Sequence, residues 1–173
     1  RVEIERVFMK RVLESRSLKP QGKWARQALV RCLLRGQPWS KLSDEVESRL
    51  ERINLNLALV AMGEWPTHLS HMSTPQLVIS TDQAEEWFTA RLVELGFEEA
   101  EELELLSRDD LLPSSLHPDS LSYLDKVFPR LLNMSDARYM FHYDVLKRRV
   151  IMEQVAGSRK EAPRPEWLPQ CGG

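Results

Sequence analysis

The chain is poor in the residues that covalent and metal chemistry usually require. Cys32 and Cys171 are the two cysteines among 173 residues. A structural disulfide therefore has one possible pairing, nothing recommends it, and both thiols are expected to be free. No run of 18 apolar residues occurs, and Arg1 does not open a charged-then-apolar segment. A membrane-spanning helix and a signal segment are thus not expected, and the chain reads as cytoplasmic with no membrane partner. The patterns Gly-x-x-x-x-Gly-Lys-Ser/Thr, Gly-x-Gly-x-x-Gly and Gly-x-Ser-x-Gly are all missing. Phosphate loops, dinucleotide turns and nucleophile elbows need those glycines, so this chain alone is not expected to be an enzyme. His68 and His71 have ligand-like spacing, but no Cys, Asp or Glu completes a metal site. Asp109 and Asp110 imitate a catalytic dyad, yet adjacent acids near a helix start usually serve the helix dipole and solubility. No catalytic residue, metal ligand or cofactor is assigned to this chain.

What is present is ordinary in amount and uneven in placement. Hydrophobic residues make up 42% and charged residues 29%, which suits a soluble globular chain of one ordinary or two small domains. A net charge of −2 conceals segregation. Residues 1–60 carry 13 Lys/Arg against 7 Asp/Glu, residues 82–125 carry 2 against 13, and residues 126–173 carry 9 against 5. Such separation fits a basic surface offered to nucleic acid, or two lobes that attract each other; solvated helix faces are the plainer reading, above all for Glu98 to Glu104. A chain that begins at Arg1 and stops at Gln170-Cys-Gly-Gly is expected to be part of something larger, with processing as the alternative explanation.

Periodicity divides the chain into five stretches: a helical bundle over 1–63, a connector over 64–81, an acidic helical segment over 82–127, an antiparallel β-meander over 128–160 and a Pro-rich tail over 161–173. In the first stretch Ile4, Val7, Phe8, Val12 and Leu13 fit a helix over Val2 to Leu18. A second helix runs from Lys23 to Leu34, with Gly36 as its left-handed cap. A third starts at Ser43 as N-cap, passes acids 44, 45 and 47, and runs through Leu50, Ile53, Leu57 and Val60 to Gly63. These three would share one core, with Cys32 on an apolar stripe. The connector contains a short strand around Leu77 to Ile79. Asp82-x-x-Glu85 reads as a capping box before a stripe of Trp87, Phe88, Leu92 and Leu95. Glu98 to Leu106, Arg108 to Leu112 and Pro118 to Val127 follow as short helices. The fold class is α+β: a mainly helical N-terminal two-thirds, then a small antiparallel β-meander.

The meander is the most informative segment. Tyr139, Phe141, Tyr143 and Val145 alternate with Arg138, Met140, His142 and Asp144, a period of two that favours turning the aromatics toward a core over exposing them as a platform for stacking bases. Flanking strands are expected over Arg130 to Met134 and Arg149 to Val155, joined by hairpin turns. Cations crowd the turns and strand ends. Arg138, Lys147, Arg148, Arg149, Arg159 and Lys160 are the candidate nucleic-acid-binding residues, because Lys and Arg can follow phosphates without reading sequence.

The succession Trp87-Phe-Thr-Ala-Arg-Leu-Val-Glu-Leu95, Leu103-Glu-Leu-Leu-Ser-Arg-Asp-Asp-Leu-Leu-Pro113, Leu124-Asp-Lys-Val-Phe-Pro-Arg-Leu-Leu132 and Ala137-Arg-Tyr-Met-Phe-His-Tyr-Asp144 resembles the C-terminal region of HrpB-type bacterial DEAH-box ATP-dependent helicases. The likeness covers roughly residues 80 to 160 and includes the pair Tyr143-Asp144. It implies an accessory domain that holds a single strand of RNA or DNA, or docks a protein, beside the motor lobes of the same polypeptide. ATP and Mg would belong to those lobes, whose phosphate-loop lysine and DEAH acids would lie N-terminal to Arg1. The alternative is a structural or protein-interaction domain whose basic residues only neutralise the acidic helices.

Overall fold

Residues 2–8 and 11–18 form a pair of antiparallel strands, where the sequence pattern predicts a helix. Strand β1 (Val2–Phe8) pairs with β2 (Arg11–Leu18), from Val2 opposite Leu18 to Phe8 opposite Arg11. The register shifts by one residue between Arg6 and Val7. That irregularity breaks the two-residue alternation begun by Val2 and Ile4, and leaves apolar positions 4, 7 and 8 at helical spacing. Val2, Ile4, Val7 and Val12 are β-branched and favour strand once a partner is available. The expected helix over Val2 to Leu18 therefore does not supply the core, which the helices Lys23–Leu34 and Leu42–Ala61 share with a later helix.

This computed structural model describes residues 2–8, 11–72, 75, 82–144, 147–164, 166 and 168, with the backbone alone for 2–18. The expected strand around Leu77 to Ile79, together with Val145 and Cys171, lies outside the described residues. Helix α1 (Lys23–Leu34) and α4 (Pro118–Val127) occupy the predicted positions. Helix α2 (Leu42–Ala61) begins one residue before Ser43, so Ser43 sits inside the first turn and is not the cap. Lys41 just before it adopts φ 59. Helix α3 (Ala84–Glu94) is flanked by Gln83, which makes no side-chain capping bond, so the Asp82–Glu85 capping box does not form. A capping box forms instead at the 3₁₀ turn Ala100–Leu105, where Glu99 and Glu102 each receive the other's backbone N–H. Further 3₁₀ turns span Thr67–Leu69 and Asp109–Leu111. Among the described residues no helix is long and apolar enough to cross a membrane.

The chain divides into two compact units, Arg1–Leu50 with Gln76–Ser114, and Glu51–Pro75 with Ser115–Gly173. In the first, Leu29 and Leu33 of α1, Leu42, Val46 and Leu50 of α2, Phe88 and Leu92 of α3, and Leu111 share one apolar core. Trp87 joins it and donates its indole N–H to the Leu111 carbonyl at 2.8 Å, which allows a polar group to be buried. Cys32 is exposed, one residue off that stripe.

In the second unit, α2 contributes Ile53, Leu55 and Leu59 to the buried set, with Leu124 and Phe128 from α4 and its cap. Leu57 and Val60, expected on the apolar stripe, are 40% and 49% exposed instead. Strands β3 (Leu131–Asn133), β4 (Ala137–Asp144) and β5 (Arg149–Gly157) form an antiparallel sheet in chain order. Tyr139 and Phe141 are buried, and half-buried Tyr143 meets Phe128 edge-on at 5.3 Å. The Tyr143 hydroxyl donates to the Pro129 carbonyl at 2.6 Å. At the far end of the hairpin Gly157 has φ 104, and a Cβ there would stand 2.5 Å from the Ala137 Cα, so only glycine fits.

Candidate nucleic-acid interface

Alternation along β4 turns Arg138, Met140, His142 and Asp144 away from the aromatic face. Register then decides their neighbours. Asp144 stands opposite Arg149, and His142 opposite Ile151. The backbone reverses through Lys147 and Arg148, the latter at φ 49, and the Lys147 N–H donates to Asp144 Oδ1 at 3.2 Å. Asp144 thereby collects two cations, with Lys147 Nζ and Arg149 Nη2 both 3.3 Å from Oδ2. Burial pushes the Asp144 carboxyl up, but the Lys147 bonds and the charges of Lys147 and Arg149 outweigh it and hold the group below its ordinary value. Arg148 reaches Glu64 at 3.6 Å with its side chain 80% exposed.

The other candidate residues lie at the opposite end. Arg138 donates from Nε to the Asn133 side chain at 3.0 Å. Arg159 meets Asp136 at 2.8 Å, and this bond holds the Asp136 carboxyl below its ordinary range. Lys160 is exposed and pairs with no carboxylate among the described residues. The six positions thus form two groups, and the six residue-to-residue steps of strand from Arg138 to Asp144 separate them by roughly 20 Å. Sequence places Asp136 in a turn and Asp144 on the polar side of the strand, and neither position signals its pairing with Arg159 or Lys147.

Between the two groups the open face is mixed. His142 lies 3.4 Å from Glu51 and 3.8 Å from Glu153, while Arg130 pairs with Glu51 at 2.9 Å. Leu131 and Ile151 are 48% and 46% exposed. The acidic residues Glu98 and Glu101 pair with Arg26 and Lys19. No group of three or more His, Cys, Asp or Glu side chains is placed to hold a metal ion among the described residues.

No protein-family model, curated protein or solved structure matches the chain. The likeness to helicase C-terminal regions therefore rests on the sequence passages quoted above.

Proposed function

We propose that this chain is an accessory, non-catalytic module of a cytoplasmic bacterial ATP-dependent helicase, and that its sheet makes weak, sequence-independent contact with single-stranded RNA or DNA. The observation that carries this reading is the β4–β5 turn, where Lys147, Arg148 and Arg149 stand together with side chains 71%, 80% and 57% exposed. Their carboxylate partners, half-buried Asp144 and exposed Glu64, are 3.3–3.6 Å away. Pairs of that length whose cations are exposed are weak, so exchanging them for phosphates costs little. ATP and Mg would bind the motor lobes of the same polypeptide. Fluorescence anisotropy with a labelled single-stranded oligonucleotide tests the reading: affinity should fall steeply between low and physiological salt. Absence of binding at low salt removes it.

A second reading, protein docking, is favoured by β5 itself. This strand is at one edge of the described sheet and exposes Val150, Ile151 and Val155 at 46%, 46% and 42%. Unpaired edge groups can accept another strand. Hydrogen exchange separates the two: docking by the motor lobes slows the β5 amides in the longer polypeptide relative to this chain, without any oligonucleotide.

A further inference from the structure

The basic excess of residues 1–60 is not used by the sheet, and the structure shows where part of it goes. On α1, Ala25, Leu29, Val30 and Leu33 face the core. At 100° per residue, Trp24, Arg31 and Arg35 fall within about 20° of one line on the opposite side. Trp24 is 63% exposed, and Arg31 and Arg35 are exposed with it. Lys23 beside Trp24 and Lys41 beyond the helix are exposed as well.

The pairing of these cations sets them apart from the sheet group. Lys147, Arg148, Arg149 and Arg159 each meet a carboxylate. Lys23, Arg31, Arg35 and Lys41 meet none among the described residues. The acids nearest the start of α1 are already engaged: Glu98 by Arg26, Glu99 by Gln21 and Glu101 by Lys19. Arg31 and Arg35 do complement the carboxyl end of the helix dipole, but Lys23 at the amino end opposes it, and the first turn contains no acid. Helix stability therefore does not account for the set.

We propose that the outer face of α1 is a binding site for single-stranded nucleic acid, distinct from the β4–β5 turn. Trp24 offers a flat, exposed ring on which a base stacks, whatever the base. Arg31 lies two turns further along, about 10 Å, and Arg35 one turn beyond that, so both reach the backbone of a strand laid along the helix. This inference extends the nucleic-acid reading above but rests on different residues in the other unit.

The test uses the whole chain with labelled oligo(U) and oligo(dT) at low salt. Binding of either supports the site, the tighter arm naming RNA or DNA, provided that it responds to α1. Replacing Trp24→Ala should weaken binding about 5- to 100-fold, the range expected for losing one stacked base, while melting stays unchanged because the ring is exposed. Trp24→Phe should retain most of the affinity. The double change Arg31→Gln with Arg35→Gln should lower the slope of log affinity against log salt by about 2. Parental affinity in Trp24→Ala overturns the proposal. If replacing Lys147, Arg148 and Arg149 abolishes binding while the α1 variants bind normally, the sheet reading stands and this one falls; the reverse result sustains α1 and removes the sheet.

Discussion

Arg52 donates from Nη1 to the backbone carbonyl of Phe128 at 2.8 Å, joining the second half of α2 to the cap of α4. Its other terminal nitrogen meets Asp125 at 2.8 Å. The two bonds are unequal in consequence. The Arg52 side chain is 7% exposed, whereas Asp125 is 67% exposed. Burial pulls the Arg52 guanidinium below its ordinary value, and the Asp125 charge opposes that pull.

Loss of the carbonyl bond should therefore matter more than loss of the ion pair. Arg52→Met leaves a polar acceptor without its buried donor and should destabilise the protein by ~1–3 kcal/mol. Asp125→Asn should cost less than ~1 kcal/mol, because its charge is largely solvated. Urea denaturation measures both, and a larger loss in Asp125→Asn would contradict this ordering.

Phe141 is 2% exposed on the inner face of β4. Its ring centroid is 6.4 Å from that of Tyr143, which in turn meets Phe128. Phe141→Ala should lower stability by ~3–5 kcal/mol, the usual range for deleting a large buried aromatic. Thermal melting of the variant checks it, and an unchanged midpoint would mean that the sheet face is not core.

How far the sequence revealed this architecture depended on whether one period dominated. Tyr139, Phe141 and Tyr143 alternate over enough residues for β4 to be read directly, and α1 and α4 are bounded by Gly22, Gly36 and Pro118 as punctuation. The first hairpin was hidden because its bulge at Arg6 and Val7 makes a strand pattern imitate a helix. Leu57 and Val60 continue the apolar spacing of α2 but lie where the described residues do not cover them. The six candidate cations were located on the correct meander, yet their separation into two groups, and their pairing with Asp136, Asp144 and Glu64, depends on register and tertiary placement. The exposure of Trp24 has no sequence signal, since helical spacing is informative about the buried face and says little about an exposed ring.

Replacing Lys147, Arg148 and Arg149 together with Gln should leave the melting temperature nearly unchanged. Each position is exposed, and such substitutions usually shift stability by less than about 0.5 kcal/mol. Oligonucleotide affinity should fall, and the salt slope should drop by up to ~2–3 if each cation meets one phosphate. Parental binding by the triple variant would exclude the turn as the contact surface, and unfolding would make these cations structural partners of Asp144 and Glu64.

The Arg159–Asp136 pair predicts a pH effect of definite sign. The Arg159 bond holds the Asp136 carboxyl below its ordinary range in the folded chain. A depressed carboxyl contributes stability above the ordinary carboxylate pKa of about 4, and that contribution disappears as pH falls through the lower folded value. Carbon NMR titration of the Asp136 carboxyl should show a rise toward the ordinary value in Arg159→Gln. Coincident titration curves for parent and variant would show that the pair has no effect on ionisation.

The edge position of β5 also bears on how this chain behaves when crowded with copies of itself. A strand that exposes Val150, Ile151 and Val155 and pairs on one side only among the described residues offers an edge on which further strands can stack. Arg149 and Glu153 interrupt that run at intervals of four residues, and the register shift opposite Arg138 and Tyr139 bends the strand near Val155. Both features keep a growing stack from remaining flat and uncharged. Neutralising Arg149 and Glu153 at once would remove that protection while leaving the fold's interior untouched, so colloidal solubility, and not thermal stability, is the property these two charges guard.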